Sequence, residues 1–391
     1  MRPAGAALAA MALFSTAAGA YPSMIRHGYT QCAACHTDPS GGTLLTPYGR
    51  AQSDLLLSTR WGAGKEDEPA ATDDFLFGLV PTPDFLTLGG WFRYGYIWNT
   101  VGGTLVDRRL LQMRGDLAAA VRVGPVRAAA ELGYASASSA PFTELAWVTR
   151  NTNDANLVSR EHWIGLAFAD DTGLVRGGRI YLPFGLRNLE HTSFVRSATR
   201  TDFNQDQQDG IAVAIAKESW RMEVMAILGN YSLRPDAFRE RGLSGYLEVS
   251  PFSRLALGVS ALVTRADAGL GSEGPTLRQA YGVTARASPW TPLVLLAEVD
   301  ALITTALGNG GASAGHADWL QADVEVLRGV HILSAVEGMK PPGGGPSSLG
   351  LWGGAAWFVF PHLDVRADWI RRSTTGSPPT VTFLLQLNGY L

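Results

Sequence analysis

From Asp84 onward the chain is written in segments of roughly ten residues whose side chains alternate apolar and polar, and this period of two constrains the fold more than any other feature. In the stretch Asp84 to Trp98, Leu86, Leu88, Phe92, Tyr94, Tyr96 and Trp98 share one face, while Thr87, Arg93 and Gly95 share the other. In His362 to Ile370 the faces separate as Leu363, Val365, Ala367 and Trp369 against His362, Asp364, Arg366 and Asp368. Pro292 to Leu302 sets Leu293, Leu295, Ala297 and Val299 opposite Glu298 and Asp300.

Two architectures use such strands. In a soluble sandwich the apolar faces meet each other; in a membrane barrel they meet lipid and the polar faces line a lumen. A charged side chain facing lipid at mid-depth costs about 2–4 kcal/mol for Arg or Lys. The faces bearing Arg114, Asp116, Arg127, Glu131, Glu223, Glu248, Arg286, Asp323, Glu325 and Glu337 therefore point inward in a barrel.

Connection lengths favour the barrel. Tight turns fall near Val123 to Pro125, Asp170 to Gly173, Lys217 to Ser219, Ser250 to Ser253, Ser288 to Thr291, Arg328 to Gly329 and Phe360 to Pro361. Longer connections fall near Asn99 to Val106, Ala137 to Asn156, Leu182 to Gln208, Asn230 to Glu240, Ala266 to Thr276, Thr304 to Gly315, Pro341 to Ser348 and Ser373 to Pro379. The two kinds alternate without a break. The expected fold is all-β: an antiparallel transmembrane β-barrel of about 16 strands over residues 84–391, with both ends in the periplasm of a Gram-negative bacterium. The last strand, Thr380 to Leu391, resembles the C-terminal strand that outer-membrane assembly machinery recognises, with Leu391 in place of the usual aromatic end.

Composition agrees: 45 Gly, 11 Trp, 11 Tyr and 15 Phe accompany only 17% charged residues, and no later stretch reaches about 18 uninterrupted apolar residues. A net charge of −3 supplies no basic field, so nucleic acid is not an expected partner. Residues 1–20 carry Arg2, an apolar run from Ala6 to Phe14 and small residues Ala18 to Ala20, which read as a secretory signal peptide, the alternative being a short membrane helix.

Both cysteines of the chain fall in Cys32-Ala33-Ala34-Cys35-His36, just behind that leader. The spelling is that of c-type haem attachment: two thiols placed to add to the vinyl groups of one porphyrin and an adjacent imidazole to take the iron. A disulfide, a dithiol centre and a metal site remain alternatives. A thioredoxin-type centre needs a helix after the motif, whereas Pro39, Ser40, Gly41 and Gly42 follow here, and zinc needs further ligands, of which only His27 is near. For the second axial position His27 is the first expectation and Met24 its alternative, while His162, His191, His316, His331 and His362 lie later, where one could reach in from a surrounding wall. Residues 21–83 are too few for a self-standing cytochrome core, so this short, mostly irregular or helical segment is expected in or under the periplasmic mouth. Within it, Leu44 to Thr59 holds a short helix, Arg50 is a candidate partner for a haem propionate, and Lys65 to Pro69 reads as a polar linker.

The arrangement resembles the fused monohaem c-type cytochrome-porins, which include outer-membrane cytochromes of iron-oxidising bacteria. The residues that carry the likeness are Pro22, Arg26, Gly28, Cys32, Cys35, His36, Pro39, Leu45 and the Tyr48-Gly49-Arg50 triplet. A second stretch, Gly178 to Arg187, is similar to one in phosphate-selective-type porins, where a strand runs into a loop folded back into the pore. The first likeness implies electron transfer across the outer membrane through one covalent haem c, between a periplasmic carrier and an external partner such as Fe(II). Glu190, His191, Asp202 and Asp206 are loop residues able to attract that cation. The competing classes are a porin for small solutes with the haem as a structural plug, and a redox or ligand sensor.

Overall fold

The computed structural model describes residues 22–59, 74–136, 147–150 and 155–390, apart from 43, 77, 188, 189, 191, 203–205, 230–238, 269–273, 309 and 361. The expected leader, the Lys65 to Pro69 linker and His191 lie outside the described residues.

Seventeen strands form one antiparallel sheet. They are β1 (Leu86–Val101), β2 (Thr104–Val123), β3 (Val126–Ser136), β4 (Trp147–Arg150), β5 (Ala155–Phe168), β6 (Gly173–Ile180), β7 (Gln208–Lys217), β8 (Trp220–Gly229) and β9 (Arg241–Phe252). The order continues with β10 (Leu255–Ala266), β11 (Thr276–Trp290), β12 (Leu293–Ala306), β13 (Ala312–Leu327), β14 (Val330–Lys340), β15 (Ser348–Phe360), β16 (Leu363–Thr374) and β17 (Thr380–Tyr390). Strand β17 pairs with β1 from Trp91↔Tyr390 to Val101↔Thr380, which closes the sheet and leaves no edge in lipid. Strand β5 pairs with β3 along one side; on the other it pairs with β6 up to His162 and then with the four-residue β4. β4 thus fills the space beyond the end of β6, and the wall is a closed barrel of sixteen strands.

The alternating pattern sorts as cost requires. Leu257, Val259, Ile211, Val224 and Leu320 stand on the exposed outer face, with Trp98, Phe383 and Trp369 side by side across β1, β17 and β16. At the opposite rim Phe168, Phe252, Trp290 and Phe360 each end a strand at a short turn, an aromatic belt. All ten charged residues expected inside avoid the exposed outer face: eight are buried, and Arg127 and Glu325 are half-buried near the short-turn end.

The seven short turns fall where expected. The β1–β2 connection differs: instead of a long loop, only Gly102 and Gly103 join the strands, both with positive φ of 57° and 85°. Alternation continues past the membrane there, so strands of 16 and 20 residues form a ribbon beyond the roughly 9–11 residues a crossing needs.

The lumen is filled rather than open along its length. After β6 the chain turns inward, burying Tyr181, Leu182, Phe184 and Leu186, and helix α2 (Phe194–Thr199) packs on β12, β13 and β14. From the short-turn side the N-terminal segment enters the mouth: Thr59 N donates to Phe358 O at 3.0 Å, and Arg328 Nε donates to Ser58 O at 3.1 Å. Ion pairs offset the desolvation of so many charges, within the wall as in Arg114 with Asp116 and Glu131, and between wall and contents as in Arg196 with Glu298.

Candidate functional site

A 3₁₀ helix, Pro22–His27, leads into the motif. The amides of Cys35 and His36 donate to Cys32 O at 3.1 and 3.0 Å, winding the motif into one helical turn. Thr46 N donates back to Cys35 O at 2.9 Å, and His36 forms a bridge with Leu45. Helix α1 (Pro47–Leu57) then starts with Pro47 in its first turn and Thr46 as N-cap, the Thr46 hydroxyl accepting from Gly49 N at 3.1 Å. Gly49 packs directly on the motif: a Cβ there would lie 2.3 Å from Cys35 O. No disulfide joins Cys32 to Cys35. Burial pushes the Cys35 thiol up to about 12, with Cys32 adding to the effect, the reverse of the lowered pKa that a dithiol redox centre uses.

His36 is 7% exposed and lines a cavity of about 1580 Å³, counted with its solvent-open part. Three pieces enclose it. The N-terminal segment contributes His36, Gly41, Gly42 and Leu45; the inward loop contributes Tyr181, Arg187 and Glu190; the wall contributes apolar residues such as Trp91, Phe92, Met113, Leu296, Leu333 and Phe358. Gly41, with φ of 90°, leaves the cavity open next to Cys32: a Cβ on it would stand 3.2 Å from the Cys32 Sγ. Such a cavity, mostly apolar with the His36 imidazole at one margin and the Cys32 sulfur just behind Gly41, fits a porphyrin attached at this turn.

Arginines ring the polar margin. Arg114 and Arg366 are each engaged by two carboxylates, Arg366 by Glu190 and Asp368. Arg93 Nε donates to Gln386 Oε1 at 2.7 Å, and Arg187 Nη2 donates to Ser40 Oγ at 2.8 Å. Asp38 anchors the segment at depth, its carboxylate accepting from Arg176 at 3.1 Å and from Ser40 N at 2.8 Å. Burial alone would raise the Asp38 pKa, but Arg176 and Arg187 together hold it below the ordinary value.

The residues singled out in the sequence separate in space. His36 lines the cavity; His27, Met24 and Arg50 are not among its lining residues. Met24 packs with Tyr29 and Leu57, His27 is half-buried with its pKa lowered by that burial, and Arg50 donates to Leu88 O, tying α1 to β1. The acids expected in outer loops are also engaged within the barrel: Glu190 is buried against Arg366, and the amide of buried Asp202 donates to Asp206 Oδ2 at 3.0 Å. Among the described residues no group of three or more His, Cys, Asp or Glu is arranged to hold a bare metal ion. His331 was one of five later histidines, and it alone of the described ones joins His36 in the cavity lining. Its position two residues from the Arg328 to Gly329 turn placed it near the mouth, a signal it shares with His362 beside the Phe360 to Pro361 turn.

No family model matches the chain, and neither does any curated protein. Solved structures do. The chain is similar to OmpT of Vibrio cholerae at 11% identity, covering 80% of this chain and 100% of that one, with a TM-score of 0.60. It is also similar to an anion-selective porin from Comamonas acidovorans at 10% identity, covering 78% and 99%, TM-score 0.56. The fold is that of an outer-membrane porin. A third porin-fold neighbour, the outer-membrane channel DcaP of Acinetobacter baumannii, gives 10% identity, 78% and 97% coverage and a TM-score of 0.55. At such identities the porin fold is shared, and with it the outer-membrane location and lipid-facing wall, while the contents of the lumen are this chain's own.

Proposed function

We propose that this chain is an outer-membrane electron-transfer protein, a member of the fused cytochrome-porin type that its N-terminal motif resembles. The observation that carries the reading is that His36 of the Cys32-x-x-Cys35-His36 turn lines a mostly apolar cavity inside the barrel. One haem c, attached through both thiols, would supply one-electron chemistry inside an insulating layer about 30 Å thick. The chain's own residues do the rest. His36 would offer its imidazole to the iron, Gly41 leaves room beside the Cys32 sulfur, the inward loop covers part of the cavity, and Arg187 would meet a propionate. Periplasmic carriers have access to the short-turn mouth, where the segment sits, and an external donor such as Fe(II) would act from the opposite side.

A second reading, a porin for small solutes, is favoured by the structural neighbours, which are porins and channels.

Reconstitution separates the two. Purified protein in liposomes should pass electrons from an internal reductant to an impermeant external dye, and His36→Ala should abolish this. Ion conductance in planar bilayers with no dye reduction would instead select the porin.

A further inference from the structure

Two histidines of the described chain face one cavity from opposite partners: His36 from the N-terminal segment and His331 from β14 of the wall. His331 is 3% exposed and rigidly held. Its Nδ1 lies 2.8 Å from Asp323 Oδ1, and the Phe358 ring packs edge-on against it at 5.5 Å. A carboxylate acceptor at Nδ1 makes that nitrogen the protonated one, so Nε2 keeps its lone pair. Nε2 is buried and makes no hydrogen bond; the nearest acid oxygen, Glu325 Oε1, is 4.0 Å away. A buried imidazole with a carboxylate behind one nitrogen and nothing bonded to the other is the arrangement of a metal-ligating histidine.

We propose that His331 is the second axial ligand of the haem, opposite His36, and that Asp323 is its positioning residue; this rests on the haem reading above. The N-terminal segment helps to build the pair. Arg26, 1% exposed, reaches Asp323 Oδ2 at 2.8 Å and Glu325 Oε2 at 3.2 Å, holding the carboxylate that orients His331. Docking the motif and aligning the wall histidine are therefore one event. The competitors are placed less well. His27 and Met24 do not line the cavity, His162 Nδ1 lies 3.1 Å from Ser159 Oγ beyond it, His316 is exposed, and His362 faces Ser53 at the turn. Among the described histidines and methionines, Met113 also lines the cavity and is the rival the geometry leaves.

The test uses the full chain, expressed with cytochrome-maturation machinery and purified in detergent. Pyridine haemochrome reports covalent haem; electron paramagnetic resonance and near-infrared magnetic circular dichroism report the axial set. The wild type should be low-spin with two histidine ligands. His331→Gly should keep its haemochrome yield and unboiled gel mobility, turn high-spin, and return to low-spin with added imidazole; Met113→Leu and His27→Gln should keep the low-spin, two-histidine spectrum. His331→Met covers the case in which the glycine variant fails to assemble: the near-infrared band should move to the His/Met position. A low-spin, bis-histidine spectrum persisting in His331→Gly or His331→Met overturns this assignment alone, as does loss of the low-spin signal in Met113→Leu. A wild type without covalent haem overturns the haem reading and this assignment together.

Discussion

Asp38 of the N-terminal segment accepts a hydrogen bond from Arg176 of β6 at 3.1 Å, and neither side chain exposes any surface. Arg176 also donates to Glu223 of β8 at 2.6 Å, so one guanidinium joins plug to wall and wall to itself. Removing one partner of a buried ion pair costs about 3–5 kcal/mol. Asp38→Ala leaves Arg176 its Glu223 partner, and we expect the barrel to hold while the segment loosens. Protease should cut within residues 22–59 of this variant with the unboiled gel mobility unchanged. Arg176→Met strands both carboxylates and should lower the temperature at which heat-modifiable mobility is lost.

The docking of α1 should depend on pH through His362. Its Nδ1 lies 3.4 Å from Ser53 Oγ, and burial, aided by Arg50, lowers its pKa from 6.5 to about 4. A histidine whose folded pKa is depressed contributes stability above the unfolded value and loses it as pH falls towards the folded one. The window is therefore about pH 6.5 down to 4, with a loss on the order of 3 kcal/mol at its acid end. His27, also lowered by burial, acts in the same direction. Thermal melts across this range should show the decline, and His362→Asn, which tolerates the positive φ of 64°, should flatten it.

Gly49 should resist enlargement. A Cβ would stand 2.3 Å from Cys35 O, so Gly49→Ala must push α1 off the motif at a cost of about 1–3 kcal/mol. The expected readout is a reduced yield of haem-staining protein at unchanged barrel assembly.

The outer face and the lumen should respond oppositely to charge. Val259, 53% exposed on β10, faces lipid, so Val259→Arg should cost about 2–4 kcal/mol if at mid-depth and slow folding into vesicles, as followed by gel mobility. Gln321→Arg on β13, lining the cavity, should fold at the wild-type rate.

Strand count, face assignment and seven turns were legible because each residue's neighbours two positions away reported its side, and because charge in lipid is costly enough to dominate. Gly102 and Gly103 misled for a related reason: strands continuing above the membrane carry polar residues on both faces, which in sequence resembles a loop. The turn of Cys32 to His36 was legible as local spelling. His331, Asp323 and Arg187 were not, since their meeting with His36 depends on how a segment hundreds of residues earlier seats against the wall. The hydrogen bond from Arg50 to Leu88 O of β1 is likewise a tertiary fact that no local pattern announces.

Cys35 is wholly buried, walled in by α1 on one side and by a cylinder that seals only when β17 meets β1 on the other. Maturation enzymes cannot reach a sulfur in that position. Any group bonded to it would have to be installed while the polypeptide is still extended in the periplasm, before its C-terminal strand docks: loading would precede insertion.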